Sequence, residues 1–452
     1  MKFSHKICPA LVVMVLLATV IALGQSAPAT NETTPAADTR PANVLFAEVD
    51  TYVNRKFTEF NKQNLPYDSG LEAKIKQEQK DLAVKYAEVL HARSSLSETD
   101  QFYLGMLYHL AGNGDGALEA MRHYLGGEAS GQNAQLARAV VVLYSTRKGL
   151  IPEAERAVAD YANTQPQNLA EWFGMESLIT ELLQKTKDHQ RMLVHAQQMA
   201  KIARLVVPNQ GINTFRRDDM LFKTTSFLSD AYINLNKKDE AIATVQDLRK
   251  LALLLPSGNL LRLANIRLAG LDRSIDPRGV FSELPRDETI KLPEIVATQW
   301  IDQAPVRLSD LRGQVVLLDF WAPWCGPCRY TFPRLQQWHE TYKDKGLVIL
   351  GMTNYSGEAD GHKATHGEEL VYLRSFKKKN RLAYGFAVAD SAVNDLNYGV
   401  FSIPMSFLID RQGRIRYISM GAGTDEIATL GKMLEKVMAE DSATHGEAIS
   451  AK

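Results

Sequence analysis

The sequence predicts a multidomain chain in two parts, an all-α N-terminal region of helical hairpins and a C-terminal α/β domain with a mixed sheet. Three observations predict it. From about residue 44 to 271 apolar residues recur at three- and four-residue spacing, without alternating β-rich runs. Beyond residue 293, short continuous apolar runs alternate with helical stretches. Between the two, 272–292 gathers Asp276-Pro277, Leu284-Pro285 and Leu292-Pro293 among many charges, as a connection does. At 452 residues the chain exceeds one ordinary core, and 45% hydrophobic with 23% charged residues is the balance of a folded soluble protein. Lys plus Arg equals Asp plus Glu at 52 each. That neutrality argues against a nucleic-acid partner, because phosphate contacts need clustered positive charge.

Residues 1–24 have the form of a signal peptide. Lys2 and Lys6 precede an apolar run over 7–23, and Ala22-Leu23-Gly24 offers small residues before Gln25. The chain is therefore expected to be exported, to a periplasm or cell envelope. Seventeen apolar residues also reach the lower limit of a membrane span, so an uncleaved anchor stays open as the alternative. Cys8 stands at the start of the apolar run, not at its end where a lipid-modified cysteine belongs. Cleavage would leave two cysteines, Cys325 and Cys328, in an oxidising compartment. Residues 25–43, rich in Ala, Thr and Pro, read as a disordered leader, and 441–452 as a flexible tail.

The helical region, 44–271, shows its clearest periodicity over 71–90, 101–110, 117–125, 135–145, 153–162, 225–234 and 239–254. Ala117 follows Gly105 by twelve residues, Ala241 follows Ser229 by twelve, and Pro166 follows Ala154 by twelve. This resembles the tetratricopeptide pattern, in which small residues let two antiparallel helices approach closely. The early Trp of that pattern is missing and the spacing is uneven. The run Gly112-Asn113-Gly114-Asp115-Gly116 lacks the acidic ligands of a calcium loop and reads as an interhelical turn. A concave helical surface of this kind often binds a protein segment, which the sequence does not specify.

In the C-terminal domain, 293–440, strands are expected at 315–320, 347–352, 407–410 and 415–419, and helices at 327–344 and 368–379. The segment Asp319-Phe320-Trp321-Ala322-Pro323-Trp324-Cys325-Gly326-Pro327-Cys328 sets a CxxC pair between a buried strand and a helix. Unpaired N–H groups and the macrodipole at a helix N-terminus stabilise a thiolate there. Thiols in such motifs have pKa values lowered to roughly 3.5–7.5, and the thiolate is the nucleophile. Cys328, one turn inside, is placed to attack a mixed disulfide, and Pro327 suits the first turn. Zinc would need two further ligands. His362 and His366 have the spacing but lie in a polar Gly-rich insertion, so no metal is expected. A permanent disulfide closing so short a loop would stabilise little. A reactive dithiol is the reading that fits the location.

These residues resemble the thioredoxin active site, and the wider context, roughly 280–440, resembles exported thiol–disulfide reductases of the TlpA/ResA type. Leu308-Ser309-Asp310-Leu311-Arg312-Gly313 resembles that family's lead-in, with Gln314 in place of Lys, and Pro333 matches its helix-kinking proline. Asn397-Tyr398-Gly399-Val400-Phe401-Ser402-Ile403-Pro404 resembles the signature before the last strands. The resemblance implies a thioredoxin fold, a cis Ile403–Pro404 bond beside the dithiol, and catalytic Cys325, Cys328 and Asp319. It further implies substrate contacts by Trp324, Gly326, Pro327, Ile403 and Pro404, with Trp321 in the core. Met405 departs from the family's usual Thr. Asp319 stays open between a buried acid assisting Cys328 and a strand-end acid facing solvent. Leu318 and Ala322 occupy the places where a peroxidase needs Pro and Thr, which disfavours peroxide chemistry.

The expected activity is thiol–disulfide exchange without metal or organic cofactor. Disulfide-containing client proteins would be the substrates, a membrane electron donor would regenerate the dithiol, and the helical domain would dock a client or partner. Reduction is the expected direction, because a Gly-Pro dipeptide between the cysteines resembles reducing thioredoxins. The alternative is a helical protein-binding module in which the thioredoxin-like domain is a redox-sensitive or structural accessory.

Overall fold

A computed structural model describes residues 38–63, 68–206, 213–275 and 292–440. The expected signal segment, most of the leader, most of the 272–292 connection and the 441–452 tail lie outside the described residues. The chain divides into two compact units, 1–202 and 203–452. That division falls inside the helical stretch expected at 44–271. Among the described residues, no helix is long and apolar enough to cross a membrane.

The first unit is helical: α1 (Ala42–Asp50), α2 (Tyr52–Lys62), α3 (Ser69–His91), α4 (Glu98–Ala111), α5 (Gly114–Leu125), α6 (Gly131–Arg147), α7 (Ile151–Ala162), α8 (Leu169–Lys185) and most of α9 (His189–Val206). Local chemistry sets the boundaries. Ser97 and Asp100 form a reciprocal capping box at the start of α4. Gly112, at φ 77°, ends α4, and the Asn113 side chain accepts from Gly116 N–H to open α5. Only Gly112 and Asn113 of the Gly-rich run form the turn between helices; Gly114, Asp115 and Gly116 are already the first turn of α5. A Cβ at Gly105 would lie 2.8 Å from Met121 Cε, so α4 and α5 pack closely there and a side chain at 105 would require Met121 to shift. Ala117, Ala154 and Ala241, the alanines of the twelve-residue spacing, are fully buried.

The expected leader needs correction at its end, because α1 already begins at Ala42. Ala42, Leu45 and Val49 share a core with Ala83, Tyr86, Leu90, Leu104 and Leu107. Arg40 bonds to the carboxylates of Asp38 and Glu48 and to the Tyr86 hydroxyl, which orders the residues before the helix.

The second unit opens with α10 (Thr214–Asn234), α11 (Lys238–Leu254) and α12 (Gly258–Leu271). There follow β1 (Gln299–Ile301), β2 (Val315–Phe320), α13 (Gly326–Tyr342), β3 (Leu347–Asn354), β4 (Glu358–Ala359), β5 (His362–Lys363), α14 (His366–Lys379), β6 (Gly385–Ala389), α15 (Val393–Asn397), β7 (Met405–Ile409), β8 (Ile415–Met420) and α16 (Thr424–Glu440). Six strands form one mixed sheet in the order β1-β6-β3-β2-β7-β8. β2, β3 and β6 run parallel, whereas β7 is antiparallel to both β2 and β8, and β1 to β6. Every residue of β2, β6 and β7 is buried, which is why these strands are apolar on both faces apart from Asp319 in β2 and Ser406 in β7.

Helices α10 to α12 share a compact unit with the sheet, and the start of α12 is bonded to the segment that joins α15 to β7. Gly258 N–H donates to the Tyr398 carbonyl at 3.2 Å, and Asn259 N–H donates to the Gly399 carbonyl at 2.9 Å. Ser257 caps α12 through Leu260 N–H and is hydrogen-bonded to the buried Asp218 of α10. A Cβ on Gly258 would collide with the Met405 sulfur, and one on Gly399 with the Ser257 hydroxyl. Met405, the departure from the family pattern, therefore lies against the first residue of α12.

Candidate active site

The site is assembled where β2 ends. Phe320 packs on Tyr398 and Phe407, whose ring centroids lie 5.7 and 5.6 Å away. Trp321 is 2% exposed and is enclosed by Phe332, Phe376 and Phe386. This aromatic wall fixes the exit of β2, and the chain then turns through Pro323 and Trp324 into α13. Trp324 stands 68% exposed beside the cysteines.

Cys325 is the N-cap of α13, Gly326 is its first residue, and Pro327 lies in its first turn. Cys325 and Cys328 are joined in a disulfide, so the structure is the oxidised state of the pair. Cys328 N–H donates to Cys325 Sγ at 3.2 Å. On reduction the same N–H and the helix dipole favour negative charge on that sulfur. Cys328 is fully buried and Cys325 is 4% exposed, so a client reaches the pair from the Cys325 side. The Ile403–Pro404 bond is cis, and the Ile403 carbonyl oxygen lies 3.8 Å from Cys325 Sγ. Residues almost eighty positions apart in sequence are thus brought together at one sulfur.

Asp319 faces the interior of β2 and is fully buried, which decides between its two readings: it is not a solvent-facing strand end. Ser406, its partner across the β2–β7 ladder, donates its hydroxyl to Asp319 Oδ1 at 2.7 Å. Oδ2 has no hydrogen-bond partner among the described residues. Burial pushes the carboxyl up to about 7, and the Ser406 bond only partly opposes it. An acid so poised can hold or release a proton near neutral pH. Burial and the nearby Asp319 charge also hold the Tyr384 phenol well above its usual range.

The insertion histidines do not share a helix face, since His362 lies in β5 and His366 opens α14. His366 instead stacks on Tyr355 at 4.2 Å. Among the described residues no group of three or more His, Cys, Asp or Glu could hold a metal ion.

Residues 290–418 match the AhpC/TSA family model. Over 161 residues the chain is 30% identical to the thiol-disulfide oxidoreductase ResA of Bacillus cereus, an alignment covering 35% of this chain and 84% of that protein. The chain belongs to the thiol–disulfide oxidoreductase family. Protein DipZ of Mycobacterium tuberculosis is 32% identical over 131 residues, 28% of this chain and 18% of that protein. A solved thiol:disulfide interchange protein of the thioredoxin family, from Chlorobium tepidum, is 20% identical with a TM-score of 0.27, covering 33% of this chain and 95% of that one.

This oxidoreductase carries site features beyond those expected from its motifs. Ser406 is one, and alternation along β7 two residues after Pro404 was the available signal. Phe401, 37% exposed, is another, with the Arg262 guanidinium of α12 lying 4.6 Å from its ring centroid. No motif announces that pair, because its members come from segments 139 positions apart in sequence.

Proposed function

We propose that the chain is an exported thiol–disulfide oxidoreductase that reduces disulfides of envelope proteins through Cys325 and Cys328. The observation carrying this reading is the placement of Cys325 Sγ at the start of α13, facing the Ile403 carbonyl, with Cys328 buried behind it. In the reduced enzyme the Cys325 thiolate attacks one sulfur of the client disulfide. The client S–S bond breaks, a Cys325–client disulfide forms, and the departing client thiolate takes a proton from solvent. Cys328 then loses its proton to the Asp319 carboxylate and attacks Cys325 Sγ. The second client thiolate leaves and is protonated, and two electrons have passed from the dithiol to the client. The enzyme ends as the Cys325–Cys328 disulfide.

Trp324, Gly326, Pro327, Ile403 and Pro404 form the surface on which the client chain lies. Pro404 has no N–H, so Ile403 presents its backbone to an extended client segment. Leu318 and Ala322, where a peroxidase needs Pro and Thr, argue against peroxide as the substrate. Regeneration requires a dithiol donor in the membrane, as the exterior lacks the cytosolic reductants. The helical repeats of the first unit supply a surface for a client or partner protein. Trapping tests the reading. With the reduced full mature chain and a disulfide-bonded client, Cys328→Ser accumulates a mixed disulfide through Cys325, and Cys325→Ser forms none. Equal trapping by both variants would overturn the assigned roles.

A further inference from the structure

The start of α12 brings to Phe401 a cation, Arg262, that meets no carboxylate among the described residues. Arg262 lies one turn after Gly258, the residue bonded to the Tyr398 carbonyl, so the docking that seats α12 also fixes this side chain. Its guanidinium lies over the Phe401 ring at 4.6 Å. Phe401 precedes Ile403 by two residues, and the Ile403 carbonyl lies 3.8 Å from Cys325 Sγ. Two residues of extended chain span about 7 Å, so Arg262 stands within a few residues of a client cysteine engaged at Cys325.

The pairing of Arg262 differs from that of its neighbours. Arg217 and Arg267, in the same helical group, are paired with Asp218 and Asp230. Arg262 has no ion pair among the described residues. Its Nε is buried without a partner, and its terminal nitrogen reaches only Asn259 Oδ1, at 3.4 Å. A guanidinium held over an aromatic ring keeps its fork of donors in place, and such a fork suits a carboxylate. The side chain is half-buried, where a charge-assisted hydrogen bond is worth more than in open water.

We propose that Arg262 and Phe401 form a client subsite for an acidic side chain flanking the client cysteine. This rests on the reductase reading above and deepens it: α12 gives the dithiol a preference among disulfides. Arg262 is a specificity residue that contributes through binding and takes no part in sulfur exchange.

The test uses the full mature chain and three peptides of equal length, each with one disulfide, flanked by Glu, Gln or Lys. The wild-type protein reduces the Glu peptide with a kcat/KM about tenfold above the Gln peptide, as one partly buried charge-assisted bond provides. The difference lies in KM, shrinks with added salt, and is followed by the Lys peptide at the bottom of the series. Arg262→Gln brings the Glu-to-Gln ratio to about one, and Arg262→Glu inverts the series toward Lys. A variant that merely damages the fold lowers all three rates together and keeps the wild-type ratio. Such an unchanged ratio in Arg262→Gln, or equal rates for the three peptides in the wild type, overturns the subsite. A wild-type chain that fails to reduce even 2-hydroxyethyl disulfide overturns the reductase reading itself, and the subsite with it.

Discussion

Replacing Asp319 by Asn removes a buried charge while keeping an oxygen to accept from Ser406. The carboxyl is carried from its ordinary 3.8 to about 7 by burial. Each pH unit between those values is worth about 1.4 kcal/mol, so ionising Asp319 in the folded chain costs about 4 kcal/mol, trimmed to about 2–4 as the surroundings relax. The sign follows from proton counting. Between pH 4 and 7 the native state holds the Asp319 proton and the unfolded state has lost it, so stability falls as pH rises through that window. Below pH 4 both states are protonated and the contribution is fully present. Above pH 7 it is gone. Urea unfolding of the oxidised chain, wild type against Asp319→Asn, from pH 4 to 9 reads this directly. The variant gains on the wild type between pH 4 and 7, and the gain then levels off at about 2–4 kcal/mol. A stability difference independent of pH would refute the reasoning. The same variant should resolve mixed disulfides about a hundredfold more slowly at pH 8, since the proton acceptor proposed for Cys328 is gone.

Gly258→Ala places a methyl against the buried Met405 sulfur. It should destabilise the second unit by about 1–3 kcal/mol, and Met405→Ala in the same chain should recover part of that loss, read as coupling in a double-mutant cycle. Tyr398→Phe deletes a hydroxyl that donates to the Pro293 carbonyl at 2.8 Å, and should lower unfolding free energy by about 1 kcal/mol. In the first unit His195 lies between Glu176, at 2.7 Å, and Glu155, at 3.2 Å. Burial alone would lower its pKa, but the two carboxylates outweigh it and hold the imidazolium above its usual range. Its stabilisation is therefore complete below pH 6.5 and is lost as pH rises through the raised value. His195→Gln should narrow the gap between melting temperatures at pH 6 and pH 8.5, and an unchanged gap would rule the clamp out.

What could be read from the residues alone was whatever repeats locally. β2 is an apolar run broken only by Asp319 and was legible to the residue; the helices expected at 71–90 and 135–145 are α3 and α6, each one to four residues longer at either end. β6, Gly-Phe-Ala-Val-Ala, was missed because a run of five apolar residues is too short for its periodicity to separate strand from helix. The first half of α10 was missed because Arg216, Arg217, Asp218 and Asp219 mask its apolar stripe. The cysteines and Asp319 were legible because their chemistry depends on a strand-to-helix junction that is contiguous in sequence. Ser406 on Asp319 depends on the register between β2 and β7, and Arg262 on Phe401 depends on where α12 docks. Tertiary pairing of that kind leaves no periodic trace. The break between compact units inside the helices had the same cause, for two backbone hydrogen bonds from the start of α12 tie that helix to the segment between α15 and β7.

For disulfide reduction, the Cys325/Cys328 pair must act as a reversible reductant. The direct measurement is its reduction potential in the purified mature chain, by equilibration with defined thiol–disulfide buffers and alkylation of the free thiols. A single two-electron couple lying below about −220 mV is expected. A couple near −120 mV, the range of strong oxidants, would reverse the direction of electron flow. The absence of any reversible couple would contradict the dithiol mechanism altogether.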